Sequence, residues 1–377
     1  MASAPSSPPR KAAEWAPRIW EGSDFFAWIK LLGRNRFAVH PAYWYIAAVV
    51  TVVSLGNTLL RWLDATAFGR IIRKTEISQP PIFILGHWRT GTTLLHELLI
   101  RDERFGFPTT YECLAPCHFL LTERLLSRLL WFLIPSRRPM DNMPAGFDRP
   151  QEDEFALCLL GAGSPYEMIA FPNRAPGQEF LDLVDVSPRR LRRWRRTFKT
   201  LLRTITCKTG KRLILKSPPH TARIPVLKQM FPGAVFIHIV RDPYVVFPST
   251  LNLWRTLWKT HGLQTPTSVA LEEHVLRTGE LMHKRLEEGK RLLDADQFYE
   301  LRYEDLTRDP VAEMQKLYEH LGLGGFTEFR PRLEEYLATI KGYETNRYDL
   351  TPQQRDAITQ RWGTIIEQYG YATNGRA

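Results

Sequence analysis

Residues 86–93, GHWRTGTT, combine two glycines, one cation and several hydroxyl groups in a single short loop. The apolar run 82–85 precedes this loop, and the apolar periodicity of residues 94–99 indicates a helix after it. A strand, a glycine-bearing loop and a helix in that order direct backbone N–H groups and a helix N-terminus at an anion. The segment therefore predicts a phosphate-binding loop.

The spacing of this loop separates it from ordinary nucleotide triphosphate sites. Gly86 and Gly91 match the G-x-x-x-x-G pattern, but Thr92 and Thr93 follow where Lys-Ser or Lys-Thr would stand. The cation inside the loop is instead Arg89. Since the lysine that neutralises the β- and γ-phosphates is absent, an ordinary ATPase or kinase is disfavoured, and a divergent P-loop kinase remains an alternative.

Two further segments place polar side chains where strands end. The run that begins at Lys211 predicts a strand that ends near Lys216, with His220 in the polar turn after it. The run 235–240 predicts a strand followed by Arg241. The connection between them is long enough for a helical crossover, which makes the strands parallel. Open α/β sheets bind ligands at the carboxyl ends of their strands, so these side chains are predicted to share one site with the loop.

These segments resemble motifs of the sulfotransferases that use 3′-phosphoadenosine 5′-phosphosulfate (PAPS). GHWRTGTT is similar to their 5′-phosphosulfate loop, and IVRDPYVVFPST resembles their 3′-phosphate motif, with Arg241 and Ser249 at the Arg-x7-Ser spacing. LKSPPH looks like the strand end that carries the family's catalytic-site lysine, here Lys216. YEDL at 303–306 is similar to the segment whose tyrosine lies near the adenine.

The resemblance covers most of the chain from Pro80 onward, and the C-terminal stretch from Gly342 to Tyr371 looks like the closing segment of the bacterial branch. It implies PAPS as the co-substrate, no metal, and transfer of a sulfuryl group to a hydroxyl, or less readily an amine, of a small-molecule, lipid or carbohydrate acceptor. The donor-binding residues it implies are Gly86, Arg89, Thr90, Gly91, Thr92, Thr93, Arg241, Ser249 and Tyr303.

Catalysis would then rest on Arg89, Lys216 and a general base. Fixed donors must stabilise the charge that develops on the leaving phosphate, and a base must accept the acceptor's proton. Glu112 follows the loop helix much as the catalytic glutamate of the similar protein-tyrosine sulfotransferases does. His220 has a suitable intrinsic pKa, although it lies four residues after Lys216 where cytosolic members have two. Glu152 is the third candidate.

The charge distribution argues against nucleic acid as a partner. The net charge is +11, to which residues 1–75 contribute +6 and residues 189–212 contribute +11, so the rest of the chain carries −6. A nucleic-acid groove would spread basic charge over the domain. The run 189–212 predicts an amphipathic helix whose basic face is solvated, contacts a membrane or meets a polyanionic acceptor.

The N-terminal region predicts contact with a membrane. Residues 41–60 contain no charged side chain and approach the length needed to span a bilayer. We expect either a helix that packs on the domain or lies in the membrane surface, or a single-pass span. A catalytically silent, membrane-associated nucleotide-binding scaffold is therefore a further alternative. Four cysteines in a chain of this length suit a reducing compartment, so we predict a cytoplasmic location or the cytoplasmic side of a membrane.

The predicted fold is a three-layer α/β domain of P-loop type. A central parallel sheet is flanked by helices over residues 76–377, and residues 1–75 form an N-terminal tail with the hydrophobic helix. Cys113, Cys117 and His118 would make half of a metal site at most, because a second pair of ligands at zinc spacing is missing from the sequence. No metal centre is predicted.

Overall fold

A central sheet of five parallel strands organises the chain. The computed structural model describes residues 18–130, 146–267, 271–340 and 348–372, so residues 342–347 of the C-terminal closing segment lie outside the described part. The strands are β1 (Ile82–Leu85), β2 (Phe105–Gly106), β3 (Arg212–Lys216), β4 (Val235–Val240) and β5 (Phe298–Arg302). Their order is β2-β3-β1-β4-β5, and every neighbouring pair is parallel. The predicted parallel sheet is confirmed.

Sixteen α-helices surround this sheet in the described ranges. Those before β3 are α1 (Phe25–Arg34), α2 (Trp44–Lys74), α3 (Thr92–Leu99), α4 (Thr110–Leu114), α5 (Phe119–Leu129), α6 (Asp153–Leu159), α7 (Glu167–Ala170) and α8 (Pro188–Thr209). Those after β3 are α9 (Ile224–Met230), α10 (Pro243–His261), α11 (Leu271–Lys290), α12 (Tyr303–Arg308), α13 (Pro310–His320), α14 (Phe326–Thr339), α15 (Pro352–Arg361) and α16 (Gly363–Gln368).

Alternation along the strands builds one apolar cluster on each face of the sheet. Phe83 and Leu85 of β1 point into a cluster that also contains Phe198 of α8, whereas Ile82 and Ile84 point into one with Leu95 of α3. Successive strand side chains point to opposite faces. Because both faces are covered by helices, β1 and β4 are buried along their whole length.

The helix α8 shows the predicted amphipathic pattern. Trp194, Phe198, Leu201 and Ile205 are buried on one side of it, at the three- and four-residue spacing of a single helical face. Its basic side chains occupy the remaining surface, and Gly210 ends the helix in the left-handed conformation.

The N-terminal helices pack on the body of the protein beside the loop. Trp28 of α1 and Val50 of α2 belong to the same apolar cluster as Trp88 and Trp254. The segment Pro41–Lys74 is long and apolar enough to cross a membrane by length and composition, and it extends well beyond the run 41–60 seen in the sequence. Because α2 contributes buried side chains to this cluster, it is a packed part of the structure as well as a candidate span.

Candidate active site

The loop between β1 and α3 has a backbone that needs its glycines. Gly86 and Gly91 have φ of 151° and 99°, and Arg89 has φ of 72°. A Cβ on Gly86 would come within 2.6 Å of Thr90 Oγ1. The loop ends at Thr92, the first residue of α3, so unpaired N–H groups of the first helical turn face the loop. This is a cradle for an anion.

Gly91 lies against the ring of Tyr303. Replacing Gly91 with alanine tests whether this close contact leaves room for a Cβ atom. A Cβ there would lie 2.3 Å from Tyr303 Cδ2. We expect Gly91→Ala to lower the free energy of unfolding by roughly 2–5 kcal/mol, from left-handed strain together with overpacking. Gly322→Ala is the control, since Gly322 has φ of 58° and open space around it. It should cost roughly 1–2 kcal/mol. Equal losses in urea denaturation would contradict the close contact.

The carboxyl ends of β4 and β5 bring three predicted donor-site residues onto the loop. The guanidinium of Arg241 lies over the ring of Tyr303, 4.1 Å from its centroid, and its Nη1 donates to the carbonyl of Arg89 at 3.2 Å. Arg89 Nε donates to Ser249 Oγ of α10 at 2.8 Å. Residues separated by up to 214 positions in the sequence thus form one polar cluster at the edge where parallel strands end.

Lys216, the last residue of β3, forms a buried ion pair with Glu152. Its Nζ lies 2.7 Å from Glu152 Oε1, and the lysine side chain is 1% exposed. The other carboxylate oxygen of Glu152 accepts a hydrogen bond from the hydroxyl of Tyr166. Trp88 Nε1 of the loop in turn donates to that hydroxyl at 3.0 Å. A single carboxylate is therefore connected to both the loop and the strand-end lysine.

Burial and hydrogen bonding together raise the pKa of the Tyr166 phenol well above its ordinary value. Burial is the largest cause, and the charge of Glu152 adds to it. A phenol that holds its proton so firmly remains a hydrogen-bond donor to Glu152 across the physiological pH range. Tyr166 can therefore hold Glu152 in place without competing with it as a proton acceptor.

The two acids after Glu152 bind the segment that follows Lys216. Asp153 Oδ2 lies 2.8 Å from His220 Nε2, and Asp153 Oδ1 accepts a hydrogen bond from Ser217 Oγ at 3.0 Å. Glu154 pairs with Arg223, and both side chains are fully buried. Burial by itself would raise the pKa of Asp153, but His220 and the hydrogen bonds outweigh it and hold that pKa below its usual value. Asp153 and Glu154 thus fix the position of the segment 217–223, which directly follows Lys216.

Glu112 has structural partners in the described structure. Its Oε2 accepts from the backbone N–H of Thr109 at 2.8 Å in a capping box of α4. Its Oε1 lies 2.7 Å from Lys208 Nζ, near the end of α8. Burial raises the pKa of Glu112, while Lys208 opposes that rise. The partners of Glu112 are therefore a backbone N–H of its own helix and Lys208 of α8.

His220 lies inside the apolar cluster beneath the loop. Its ring packs against Phe83 and Phe198 at centroid distances of 5.4 and 5.5 Å, and no part of it is exposed to solvent. Of the three base candidates, Glu152 is the one that the structure brings into contact with Lys216. The neighbouring Thr221 binds the loop directly, since its Oγ1 accepts from the N–H of Gly86 at 2.8 Å.

The sequence analysis did not identify three residues that bind the loop or Glu152: Trp88, Tyr166 and Thr221. Trp88 lies within the loop motif and Thr221 directly follows His220, so both belong to segments that the sequence singled out. Their spacing, however, did not indicate their hydrogen bonds. Tyr166 lies in a segment without a motif. Among the residues that the structure describes, no cluster of three or more His, Cys, Asp or Glu side chains could hold a metal ion.

The C-terminal segment packs against the loop and against α12. The ring of Trp362 lies 5.7 Å from that of His87, and Tyr371 donates a hydrogen bond to Glu304 of α12 at 3.0 Å. A small cavity of about 60 Å³ remains between this segment, the end of β4 and α11. The C-terminal segment therefore closes over the strand ends.

The sulfotransferase family model matches residues 80–328. This range takes in the loop, the acidic run, all five strands and the polar cluster at their carboxyl ends, and it covers more than half of the chain. The chain belongs to the sulfotransferase family and is an enzyme of sulfuryl transfer. Neither the kinase nor the silent scaffold is needed to explain the loop.

Curated relatives extend this similarity over nearly the whole chain. The omega-hydroxy-beta-dihydromenaquinone-9 sulfotransferases Stf3 of Mycobacterium bovis and Mycobacterium tuberculosis are each 51% identical over 359 residues, which is 95% of this chain and 92% of theirs. A similarity of this extent includes the N-terminal helices as well as the sheet domain.

Solved structures share the fold at much lower identity. The sulfotransferase STF9 from Mycobacterium avium superposes with a TM-score of 0.67 at 19% identity, over 94% of this chain and 98% of that one. The sulfotransferase STF1 from Mycobacterium tuberculosis H37Rv gives 0.60 at 18% identity, over 91% and 94%. The predicted fold class is confirmed by these neighbours.

Proposed function

We propose that the enzyme transfers a sulfuryl group from PAPS to a hydroxyl group of a menaquinone-type lipid. The observation that carries the choice of donor is the convergence of Arg89, Lys216 and Arg241 at one edge of the sheet, each at the position where the family motif has its cation. Three fixed cations around a glycine loop suit a ligand with two separate phosphate groups.

The residues divide between the two ends of the donor. In this proposal the loop N–H groups and Arg89 hold the 5′-phosphosulfate, together with the hydroxyls or N–H groups of Thr90, Thr92 and Thr93. Arg241 and Ser249 hold the 3′-phosphate, and Tyr303 lies along the adenine. The guanidinium of Arg241 stacks on the ring of Tyr303. This supports the division, because it places the proposed 3′-phosphate-binding side chain next to the ring proposed to contact the adenine.

Glu152 is proposed as the general base and Lys216 as the stabiliser of the leaving group. When the donor binds, Lys216 turns from Glu152 toward the oxygen that bridges sulfur and phosphorus. Glu152 then accepts the proton of the acceptor hydroxyl. At the same time the hydroxyl oxygen bonds to sulfur, and the bond between sulfur and the bridging oxygen breaks. The products are a sulfate ester and 3′,5′-bisphosphoadenosine. The ion pair at 2.7 Å supports this exchange of partners.

Aromatic side chains around Glu152 support a lipophilic acceptor. The ring of Phe155 lies 4.9 Å from that of Tyr166, and Trp88 lies 5.5 Å from Trp254. Aromatic surroundings with a single carboxylate suit an apolar molecule with one polar end. The 51%-identical relatives are named for a hydroxylated menaquinone, so we propose the same acceptor class here.

We also propose that the enzyme acts at the cytoplasmic side of a membrane. Lipid acceptors reside in membranes, and α2 is a long apolar helix whose buried side packs in the same apolar cluster as Trp88 of the loop. All four cysteines are free and three of them are buried, which suits a reducing compartment.

Thermal unfolding in the presence of nucleotides tests the choice of donor. We expect 3′,5′-bisphosphoadenosine at about 100 times its Kd to add about 2.7 kcal/mol of stability, and ATP with Mg²⁺ to add little. Donor turnover is then followed by mass spectrometry with a hydroxylated menaquinone, a small phenol and a sugar alcohol as acceptors. Protection by ATP alone would overturn the donor, and sulfation of the sugar alone would overturn the acceptor class.

Arg241→Ala tests recognition of the 3′-phosphate. Loss of a charge-assisted hydrogen bond is worth about 1.5–3 kcal/mol, so we expect 3′,5′-bisphosphoadenosine to bind roughly 10- to 150-fold more weakly. Binding of adenosine 5′-phosphate, which lacks this group, should change much less. Calorimetry with both nucleotides separates the two cases, and an equal loss for both would show that Arg241 supports the loop instead of the phosphate.

A further inference from the structure

The helix α2 carries an apolar surface that no part of the described structure covers. Val49, Val52, Leu55, Leu59 and Trp62 are between 48% and 69% exposed. They follow one another at intervals of three or four residues, so they lie along one side of the helix. Contiguous exposed apolar area of this kind marks an interaction site in a soluble domain.

A second helix extends this surface. Leu125 of α5 is 70% exposed, and Leu121 and Leu129 project from the same side of α5 at four-residue spacing. The backbone N–H of Leu121 donates to Asp64 of α2 at 3.0 Å, which holds the two helices together. We define the apolar face by six of the exposed apolar side chains of α2 and α5: Val49, Val52, Leu55, Leu59, Trp62 and Leu125.

The opposite side of α2 is bound to the protein by polar contacts. Asn57 Nδ2 donates to the carbonyls of Glu21 and Ser23 at 2.6 and 2.9 Å. Thr58 Oγ1 accepts from the N–H of Phe25 at 3.0 Å. A helix that crossed a bilayer would have to break these bonds or draw polar chain into hydrocarbon, where unsatisfied backbone groups are strongly disfavoured. The contacts favour a helix that stays on the body of the protein.

Positive charge surrounds the apolar face. Arg70, Arg73 and Lys74 are exposed at the end of α2, and Arg124 and Arg128 are exposed on α5. The carboxylate of Asp64, the single acid between positions 34 and 74 of the sequence, is buried. Exposed Trp62 and the aromatic residues at the start of α2 are of the type found at membrane interfaces. This combination complements an anionic lipid surface.

We propose that the apolar face docks on an anionic bilayer with α2 lying in the plane of the interface and not across it. The inference deepens the proposed function, since it names the surface through which the enzyme would reach a lipid acceptor. Val50, on the buried side of α2, belongs to the same apolar cluster as Trp88 of the loop, so apolar packing connects the docked helix to the active-site loop.

Sedimentation of the full-length protein with vesicles tests this inference. We expect binding to vesicles of phosphatidylglycerol and phosphatidylcholine, weaker binding to phosphatidylcholine alone, and release at alkaline pH. Val52→Gln and Leu125→Gln should each weaken binding at least tenfold, because each removes an apolar side chain that inserts. Leu292→Gln is the matched control, since Leu292 is 50% exposed elsewhere on the protein, and it should bind as the unsubstituted chain does.

Three results would overturn the proposal. The first is unchanged vesicle binding of Val52→Gln and Leu125→Gln at unchanged thermal midpoint. The second is resistance of the bound protein to alkaline extraction, which indicates a spanning helix. The third is a dimer in solution that the same variants dissociate, without binding to vesicles. Turnover of a detergent-dispersed acceptor separates this inference from the proposed function. Variants that no longer bind vesicles but still transfer the sulfuryl group support both the docking surface and the proposed function. Vesicle binding without any transfer contradicts the proposed function and leaves the docking surface intact.

Discussion

Glu152→Gln is expected to lower kcat by about 10²- to 10⁴-fold, the usual contribution of a positioned general base. The substitution keeps the size and shape of the side chain and one acceptor oxygen for Lys216 or Tyr166, but it removes the negative charge and the basic oxygen. Binding of 3′,5′-bisphosphoadenosine should be retained, because Glu152 is not among the proposed donor ligands. Single-turnover transfer and calorimetry on the same preparation measure the two effects.

The dependence of kcat on pH shows whether the loss is chemical. A general base produces a rate that rises with pH through the pKa of that base, and this rise should disappear in Glu152→Gln. Glu112→Gln should act on stability, because it weakens the pair with Lys208. Glu328→Gln, at an exposed position of α14, is the surface control. Loss of the rise in Glu112→Gln with full activity of Glu152→Gln would reassign the base to Glu112.

Glu154→Ala is expected to lower the free energy of unfolding by about 3–5 kcal/mol, because it leaves the charge of Arg223 buried and without its carboxylate. Arg223 also donates to the carbonyl of Phe180 and packs on Trp194, so its guanidinium cannot easily turn toward solvent. Urea denaturation measures the loss.

Two further variants distinguish burial of the charge from the simple absence of a contact. The double change Glu154→Leu with Arg223→Met should recover much of the stability, since an apolar pair can replace a buried ion pair. Glu334→Ala removes the partner of Arg330 in an exposed pair and should cost at most about 1 kcal/mol. If Glu154→Ala lowered the free energy of unfolding as little as Glu334→Ala does, the proposed role of the pair between Glu154 and Arg223 in holding this segment would be contradicted.

Local patterns were sufficient for three of the five strands and for the loop, whereas β2 was not predicted. The strand Ile82–Leu85, the loop and the helix after it were predicted within two residues, because apolar runs and glycines act within a few positions of the chain. The parallel direction followed from the length of the crossover. Since strand ends of a parallel sheet meet at one edge, the proximity of Lys216 and Arg241 to the loop was also within reach of the sequence.

The partners of the acidic side chains required the tertiary structure. Glu112 and Glu152 both looked suitable as bases, because spacing to a motif does not reveal whether a carboxylate faces the site. In the fold, Glu112 caps α4 and pairs with Lys208, while Glu152 meets Lys216 across 64 positions of sequence. Tyr166 and its bond to Trp88 carried no sequence signal at all.

The sequence by itself indicated the class of fold, the glycine loop between β1 and α3 and the cations near it, because backbone conformation at glycine and apolar alternation depend on near neighbours. Only the tertiary structure decided which acid faces Lys216 and how α2 lies. The positions of Glu152 and Asn57 depend on contacts with distant segments, and such contacts form only when whole elements pack together.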